Sequence, residues 1–220
     1  MDVLWFRLPR HEGDPDESMG RIEPGALFVL LHRGSYWQCG HVIPKGDFER
    51  LRAGGLEAYR ALVATRVPFV ADRTDALRTW DDVRLLTVRV DRARRWHRDG
   101  LLCIGDAAHA MSPIGGVGVN LAVQDAVAAA NLLAEPLAAG TLDDVHLERV
   151  QQRREWPTRV TQGVQLAAQR RVIAPLLAGS ADPSPPLVLR LLARVPFLRR
   201  IPGRMVGLGV RPEHVARISS

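Results

Sequence analysis

The sequence predicts an α/β chain, with α+β character over its 220 residues, in which a β-sheet precedes a ligand-binding element and a helical C-terminal part. Three short apolar runs with strand-like alternation lie before residue 44. A fourth run ends in a glycine-rich loop that opens into an alanine-rich helix, an order found at many ligand sites. Beyond residue 144, apolar residues recur at helical spacing and prolines divide the pattern.

The N-terminal strands are predicted at residues 2–8, 26–32 and 36–43. The last two are joined by a short turn and therefore form a hairpin. The acidic segment 11–20 is rich in Gly and Asp, which is typical of a loop.

Two helices are predicted next. Asp47 is placed to cap the first, which the Gly54-Gly55 pair interrupts. Residues 56–65 carry apolar side chains at helical spacing, and Pro68 ends that helix. Residues 85–90 alternate well enough to form a strand that returns toward the glycine-rich element.

The second half of the chain is mainly helical. The strand 101–104 leads through the glycine-rich loop into a helix at 119–133. A further helical region covers 145–177, in which Pro157 either kinks one long helix or separates two. The tail 187–210 is apolar with interspersed arginines, and its prolines favour short helices packed on the protein's own surface.

The positive charge is concentrated near the C-terminus. The formal net charge is +6, but residues 1–148 carry 17 basic and 21 acidic side chains, whereas residues 149–220 carry 13 and 3. All basic residues except Lys45 are arginines, which is typical of a coding bias acting on surface positions. Because no nucleic-acid-binding motif accompanies the charge, we expect no nucleic-acid partner.

The cysteines and the apolar pattern narrow the class of protein further. Cys39 and Cys103 lie far apart and form no zinc pattern, so neither a disulfide framework nor a metal site is indicated. No uninterrupted apolar run reaches the ~18 residues of a membrane span, and the first residues lack the pattern of an export signal. We therefore expect a cytoplasmic protein with no membrane partner.

The glycine-rich element has the chemistry of a ligand site. Gly115, Gly116 and Gly118 lie just before a helix, where backbone N–H groups approach a ligand closely and the helix dipole favours negative charge. Asp106 follows the end of a strand, where its carboxylate either accepts hydrogen bonds from the hydroxyls of a bound nucleotide cofactor or caps the following turn.

The order of residues is more specific than this geometry. GDAAH at 105–109 is followed by P-x-x-G-x-G-x-N at 113–120 and by Asp125-Ala126. This pattern resembles the second flavin-binding motif of the FAD-dependent monooxygenases related to p-hydroxybenzoate hydroxylase. The resemblance implies that Asp106 binds the ribityl and diphosphate part of FAD and that Pro113 lies beside the isoalloxazine ring. The cofactor-binding residues it implies are Gly105, Asp106, Pro113, Gly115, Gly116, Gly118, Val119 and Asn120.

The resemblance also implies an activity. Members of the family that the chain resembles use NAD(P)H and O₂ to hydroxylate an aromatic or other apolar small molecule through a flavin C4a-hydroperoxide. No side chain is predicted to be catalytic, because His109 of the motif is expected to be structural. Two alternatives remain: a truncated, catalytically incompetent flavoprotein fragment, or a halogenase or reductase that shares the GD motif, here Gly105-Asp106.

Part of the family's pattern is absent from this sequence. The chain contains no G-x-G-x-x-G, the motif of the family's N-terminal Rossmann unit. It also has no match to the family's middle Asp-Gly motif, since Asp99-Gly100 belongs to the turn before the 101–104 strand. The resemblance therefore covers the C-terminal half of a family member, and the missing N-terminal dinucleotide-binding region is an expected partner. The domains predicted on this basis are a substrate-binding remnant at 1–84, the C-terminal part of the FAD-binding domain at 85–140, and C-terminal helices packed on that domain at 141–220.

The 26–43 hairpin supplies the candidates for substrate contact. In the family the sheet of the substrate domain covers the flavin, so side chains of this hairpin are expected to line the substrate site. Ordinary packing within the sheet is the alternative for each of them. The candidates are Phe28, Leu30, Tyr36, Trp37 and Gln38.

Overall fold

The computed structural model describes residues 1–180, 203–204 and 207–216. The chain divides into two compact units. Unit 1 contains residues 1–88 together with 168–180, and unit 2 contains the described residues of 89–167 and of the C-terminal segment beyond residue 202. Strands and helices are both present, which confirms the predicted mixed fold class.

Unit 1 is built on a five-stranded sheet with the strand order β2-β3-β4-β1-β5. Each neighbouring pair is antiparallel. The strands are β1 Asp2–Pro9, β2 Met19–Glu23, β3 Ala26–His32, β4 Tyr36–Ile43 and β5 Arg84–Leu86. The three strands predicted before residue 44 are confirmed to within one residue.

The core of unit 1 lies on one face of this sheet. Leu4, Phe6 and Leu8 alternate along β1 and are almost fully buried. They share a hydrophobic cluster with Tyr59 and Val63. Both belong to helix α2, Leu56–Arg66, which follows the short helix α1, Phe48–Ala53. Burial of each large apolar side chain stabilises the fold by about 1.5–3 kcal/mol.

The opposite face of the sheet carries a different set of side chains, and we call it the second face. Trp5 and Arg7 point to it from β1, and their direct partners on β4 are Gly40 and Gln38. Because strand residues alternate between faces, none of these side chains can join the core packed against α2.

Two predictions in unit 1 were wrong at the level of single elements. The composition of 11–20 predicts a loop that includes residues 19 and 20, yet β2 begins at Met19, because its backbone pairs with β3 at the edge of the sheet. The strand predicted at 85–90 ends at Leu86. Its continuation is diverted because the Val88 N–H donates a hydrogen bond of 3.1 Å to the Asp2 carboxylate.

Unit 2 contains a short hairpin and two long helices. The hairpin pairs β6, His97–Arg98, with β7, Leu101–Leu102, which is shorter than the predicted strand. Helix α3 covers Val117–Ala138 and extends beyond the predicted 119–133 at both ends. Helix α4 covers Asp144–Ala168 without interruption at Pro157, so the proline does not separate two helices.

The end of the helical region differs from the prediction. A π-helical turn, Gln169–Ile173, and helix α5, Ala174–Leu177, follow α4. The sequence predicts that the whole of 141–220 packs on the FAD-binding domain. In the structure, residues 168–180 of this segment belong to unit 1. The Gly25 N–H donates a 2.8 Å hydrogen bond to the Leu176 carbonyl, which attaches α5 next to β3. Most of the predicted 187–210 tail lies outside the described residues.

One helix of the described part is long and apolar enough to cross a membrane by length and composition. It consists of α3 and the short 3₁₀ turn before it, Ile114–Ala138, and has a mean hydropathy of 1.4. Core helices of globular proteins meet the same criterion, so the finding is weak support for a membrane span.

A buried ion pair joins the loop after β1 to the rest of unit 1. The Arg73 Nη1 and Asp14 Oδ2 atoms are 2.7 Å apart, and both side chains are less than a tenth exposed. The Trp37 Nε1–H also donates to Asp14 Oδ2, at 2.9 Å. Burial raises the pKa of Asp14, but the hydrogen bonds from Arg73 and Trp37 outweigh it and lower the pKa to about 2.

We expect Asp14→Asn to lower the free energy of unfolding by about 2 kcal/mol at pH 7. Because the folded-state pKa lies below its usual 3.8, the contribution is present above that pH and is lost as the pH falls through about 2. Urea denaturation of both proteins at several pH values measures the difference, which should shrink in acid. Asp16→Asn is the control, since Asp16 is exposed and should change stability by less than about 0.5 kcal/mol. If the loss of unfolding free energy in Asp14→Asn stays constant down to pH 2, the stability does not depend on the lowered pKa of Asp14.

Candidate functional site

The Asp125 carboxylate is the centre of the site in unit 2. It lies on α3, is completely buried, and accepts three hydrogen bonds. The donors are the Gly105 N–H at 3.1 Å, the His109 Nε2 at 2.6 Å and the Arg154 Nε at 2.9 Å. One carboxylate therefore fixes both ends of the 105–109 segment to α3 and ties α3 to α4.

Arg154 extends this network to the C-terminal segment. Its Nη2 donates to Gln124 Oε1 at 3.0 Å, and its Nη1 donates to the Arg211 carbonyl at 2.9 Å. Glu213 lies 3.3 Å from the same Nη1 and also binds Arg153 at 2.7 Å. Burial raises the pKa of Glu213, but hydrogen bonds from Arg153 outweigh it and hold the pKa below its usual range. The buried guanidinium is thus fully paired, as a charge inside a protein must be.

Three glutamines of α4 hold the backbone around the motif. Gln162 Nε2 donates to the Asp91 carbonyl at 2.7 Å and to the Ala110 carbonyl at 3.0 Å. Gln165 Nε2 donates to the carbonyls of Ser112 and Ile114 at 2.9 and 3.1 Å.

Further back along α4, Gln151 accepts from the Trp96 N–H at 2.9 Å and donates to the Arg94 carbonyl at 3.0 Å. Gln151, Arg154, Gln162 and Gln165 are all buried, at spacings of three, eight and three residues. We call this buried row the polar stripe of α4. It positions the segments before and after the GDAAH sequence through main-chain contacts.

The glycines of the motif serve two different purposes. A Cβ on Gly105 would lie 3.0 Å from the Ala122 Cβ, so this glycine allows the loop to pack closely on α3. A Cβ on Gly116 would meet nothing within 4 Å, and one on Gly118 would meet only Met111, at 3.9 Å. Gly115 and Gly116 have φ values of +75° and +62°, which L side chains rarely adopt. The backbone at the start of α3 is therefore open to a ligand.

The first turn of α3 offers hydrogen-bond donors at this opening. Its N-cap is Gly116, which has no side chain to accept from the helix. The first N–H groups of a helix have no intrahelical acceptor, and here they belong to Val117, Gly118 and Val119. Together with the helix dipole they favour an electron-rich or anionic ligand group.

Asp106 supplies the complementary acceptor. It lies in a short 3₁₀ turn, Gly105–Ala107, and its side chain is exposed. Within residues 1–180 and the described C-terminal segment, its carboxylate accepts no hydrogen bond, so the structure does not support the capping alternative. The free carboxylate of Asp106 and the donor-rich start of α3 together suit a ligand that carries both hydroxyl donors and carbonyl acceptors.

His109 has a structural environment, as expected. It is 1% exposed, and its ring lies 5.0 Å from that of Trp96, which is equally buried. Its Nε2 binds Asp125, while its Nδ1 has no partner in the described part of the chain. A ring enclosed in this way cannot exchange protons with a bound substrate.

The five predicted substrate contacts fall into two groups. Phe28, Leu30 and Trp37 lie in the core of unit 1 and are at most 1% exposed, because their strand positions face α2. Tyr36 and Gln38 alternate with them, lie on the second face and are half-buried. Only Tyr36 and Gln38 are placed where a ligand could reach them, and a substrate role for the three core residues is not supported.

Comparison with known proteins finds relatives of this sequence. The model of the FAD binding domain family matches residues 37–164. The 6-methylpretetramide 4-monooxygenase of Streptomyces rimosus is 37% identical over 204 residues, which cover 91% of this chain and 47% of the relative. A kynurenine 3-monooxygenase of Xanthomonas oryzae is 60% identical over 40 residues, which cover 18% of this chain and 9% of that enzyme. The chain thus spans less than half the length of these curated relatives.

Solved structures share the fold. The P. aeruginosa protein PqsL in complex with 2-aminobenzoylacetate has a TM-score of 0.63 at 18% identity, covering 81% of this chain and 50% of its own. CmlS, a flavin-dependent halogenase, has a TM-score of 0.59 at 16% identity, covering 97% and 41%. At these identities the likeness extends to the fold alone.

We expect Gly105→Ala to destabilise the flavin-free protein by about 2–3 kcal/mol, since the left-handed backbone and the contact with Ala122 both oppose a side chain. Gly116→Ala is the matched variant, because it has a similar positive φ without any neighbour, and should cost only about 1 kcal/mol. Chemical denaturation of the three proteins measures both values. Equal losses in the two variants would show that the packing against Ala122 is unimportant.

Proposed function

Because the chain belongs to the family of FAD-dependent monooxygenases that contain the FAD binding domain, we propose that it forms the flavin-ring half of a monooxygenase active site. The observation that carries the proposal is the pairing of an open, donor-rich helix start at Gly116 with the unpartnered carboxylate of Asp106. FAD has the matching groups, since its ribityl chain carries hydroxyl donors and the pyrimidine edge of its ring carries acceptors. The residues present therefore fit this cofactor.

Each element then has a role in binding. Asp106 would accept hydrogen bonds from the ribityl hydroxyls, and Pro113 would contact the ring. The N–H groups at the start of α3, around Gly118, Val119 and Asn120, would donate to the pyrimidine edge. Fixed donors at this position stabilise negative charge without reorganisation, which is the main electrostatic contribution of a protein to such chemistry. Bound FAD, reduced by NAD(P)H, supplies the activation of O₂ and the transfer of one oxygen atom to an aromatic or other apolar small molecule.

Oxygen insertion is favoured over halogenation by the comparison of sequences. The relative named a monooxygenase is 37% identical over most of this chain, whereas the halogenase CmlS is 16% identical. We propose a cytoplasmic location, which the unpaired Cys39 and Cys103 support.

We further propose that the dinucleotide half of the FAD site is supplied by polypeptide outside these 220 residues, and that this polypeptide packs on α3. Only 28% of the most apolar stretch of this helix is buried. Val119, Val123, Ala126, Ala130, Ala134 and Leu137 are exposed and recur at the spacing of one helix face. We call them the apolar stripe of α3. The coverage of 47% of the Streptomyces relative supports the existence of such a partner region.

We expect the isolated chain to bind FAD and riboflavin with nearly equal affinity, because it contacts only the ring and ribityl part that the two ligands share. Quenching of flavin fluorescence in titrations measures both dissociation constants. Asp106→Ala should weaken both by about tenfold, the worth of one hydrogen bond to a charged group. Asp99→Ala is the control, since Asp99 is an exposed turn residue outside the proposed site.

Two results would contradict the proposal. FAD binding much more tightly than riboflavin would show that the chain already holds the adenosine half. Unchanged flavin affinity in Asp106→Ala would remove the carboxylate from the site.

Co-expression with the part of the Streptomyces relative outside the aligned region tests the apolar stripe. We expect a complex that retains yellow flavin on gel filtration, and Val123→Asp should abolish it by burying a charge. Val145→Asp is the matched control, because Val145 is similarly exposed, at 53% against 57%, but lies on α4. Loss of the complex in both variants, or in neither, would argue against docking at this stripe.

A further inference from the structure

Gln165 of α4 holds the loop between the GDAAH segment and α3 on both sides of one residue. Its Nε2 donates to the carbonyls of Ser112 and Ile114, at 2.9 and 3.1 Å. These residues come directly before and after Pro113, so a single amide group fixes the main chain around the proline. Gln165 is 4% exposed, and its hydrogen bonds are therefore stronger than they would be at the surface.

The carbonyl of Pro113 itself is also occupied, since it accepts a hydrogen bond of 3.0 Å from the Gly116 N–H. The three successive carbonyl oxygens of residues 112–114 are thus all bound by the protein. The peptide between Ile114 and Gly115 is trans, and the C=O and N–H groups of a trans peptide point in opposite directions. The Gly115 N–H therefore points away from Gln165. The loop keeps these acceptors on the side of α4 and turns a donor to the other side.

The orientation of the Gln165 amide is determined by this loop. Its Oε1 is buried and accepts no hydrogen bond from the described residues, which costs free energy. Rotation of the amide plane by half a turn would bring Oε1 against two carbonyl oxygens and remove both hydrogen bonds. The amide therefore keeps the orientation in which its nitrogen faces the loop.

We propose that Gln165 is a positioning residue, which fixes Pro113 for contact with the flavin ring. A group that touches a ligand keeps its geometry to within about 0.5 Å only if further contacts hold it. Because Gln165 is buried behind the loop, it acts on the ring through Pro113 and not by direct contact. This inference rests on the proposed function for the presence of the ring, and deepens it by assigning the geometry of the ring contact to a side chain of α4.

Gln162 provides a matched comparison on the same face of the same helix. Its Nε2 also donates to two main-chain carbonyls, those of Asp91 and Ala110, and it is 6% exposed. These carbonyls both precede Pro113 and do not flank it. Loss of the Gln162 amide should therefore lower the stability of the fold, as loss of the Gln165 amide does, without moving the proline.

The test measures the dissociation constant of riboflavin by fluorescence quenching in the 220-residue chain and its variants. Methionine keeps the unbranched shape of glutamine and removes its N–H donors. We expect Gln165→Met to weaken riboflavin binding about tenfold, and Gln162→Met to change it by less than about twofold. Pro113→Ala should also weaken binding. The double variant should then bind like Pro113→Ala alone, because the effect of Gln165 passes through the proline.

Hydrogen exchange in the flavin-free chain tests the positioning without the cofactor. The N–H groups of Ile114 and Gly116 have acceptors within the loop. We expect both to exchange about tenfold faster in Gln165→Met than in wild type, and at the wild-type rate in Gln162→Met. If Gln165→Met fails to fold, Gln165→Asn makes the same tests, since it keeps an amide but withdraws it by one methylene.

Four results overturn the proposal. They are unchanged riboflavin affinity in Gln165→Met, an equal loss in Gln162→Met, a loss in the double variant equal to the product of the two single losses, and unchanged exchange at Ile114 and Gly116 in Gln165→Met. If wild type binds no flavin but the exchange rates change as expected, the hold of Gln165 on the loop stands. Its assignment to a flavin ring then fails together with the proposed function.

Discussion

The arrangement of unit 2 depends on one buried carboxylate. Asp125 is enclosed on all sides, and its charge is balanced by Arg154 from another helix. Removal of either partner from such a pair costs about 3–5 kcal/mol, because the remaining charge is stranded in the interior. The same carboxylate holds Gly105 and His109, so the loop that carries Asp106 is located by an interaction whose loss the fold could not absorb. The stability of the fold and the geometry of the proposed flavin contacts are therefore coupled.

Each unit, taken by itself, leaves groups of a different kind open to a ligand. In unit 2, the helix start and the loop leave backbone donors and a carboxylate unused, and side chains are important mainly as supports. In unit 1, the sheet buries one face in a conventional core and keeps its polar and aromatic side chains on the second face.

Local patterns in the sequence predicted much of the fold. The strand at residues 2–8 and the 26–43 hairpin follow from alternation and turn residues, whereas the flavin motif was identified by its resemblance to a known family. The edge strand at Met19–Glu23 could not be predicted, because its pairing with β3 overrides a polar composition. The side of the sheet on which each substrate candidate lies could not be predicted either, since a shift of one residue reverses the alternation.

Local sequence patterns also could not predict the buried side chains that hold the site in place. Asp125 lies on the buried face of α3, but nothing in the sequence connected it to Arg154, 29 positions later. The glutamines Gln162 and Gln165 of the polar stripe donate to main-chain carbonyls, among them those of Asp91, Ala110 and Ile114. Relatives can therefore exchange the residues at these positions while the loop keeps its path, so divergence in this segment is a poor guide to whether the cofactor site has been retained.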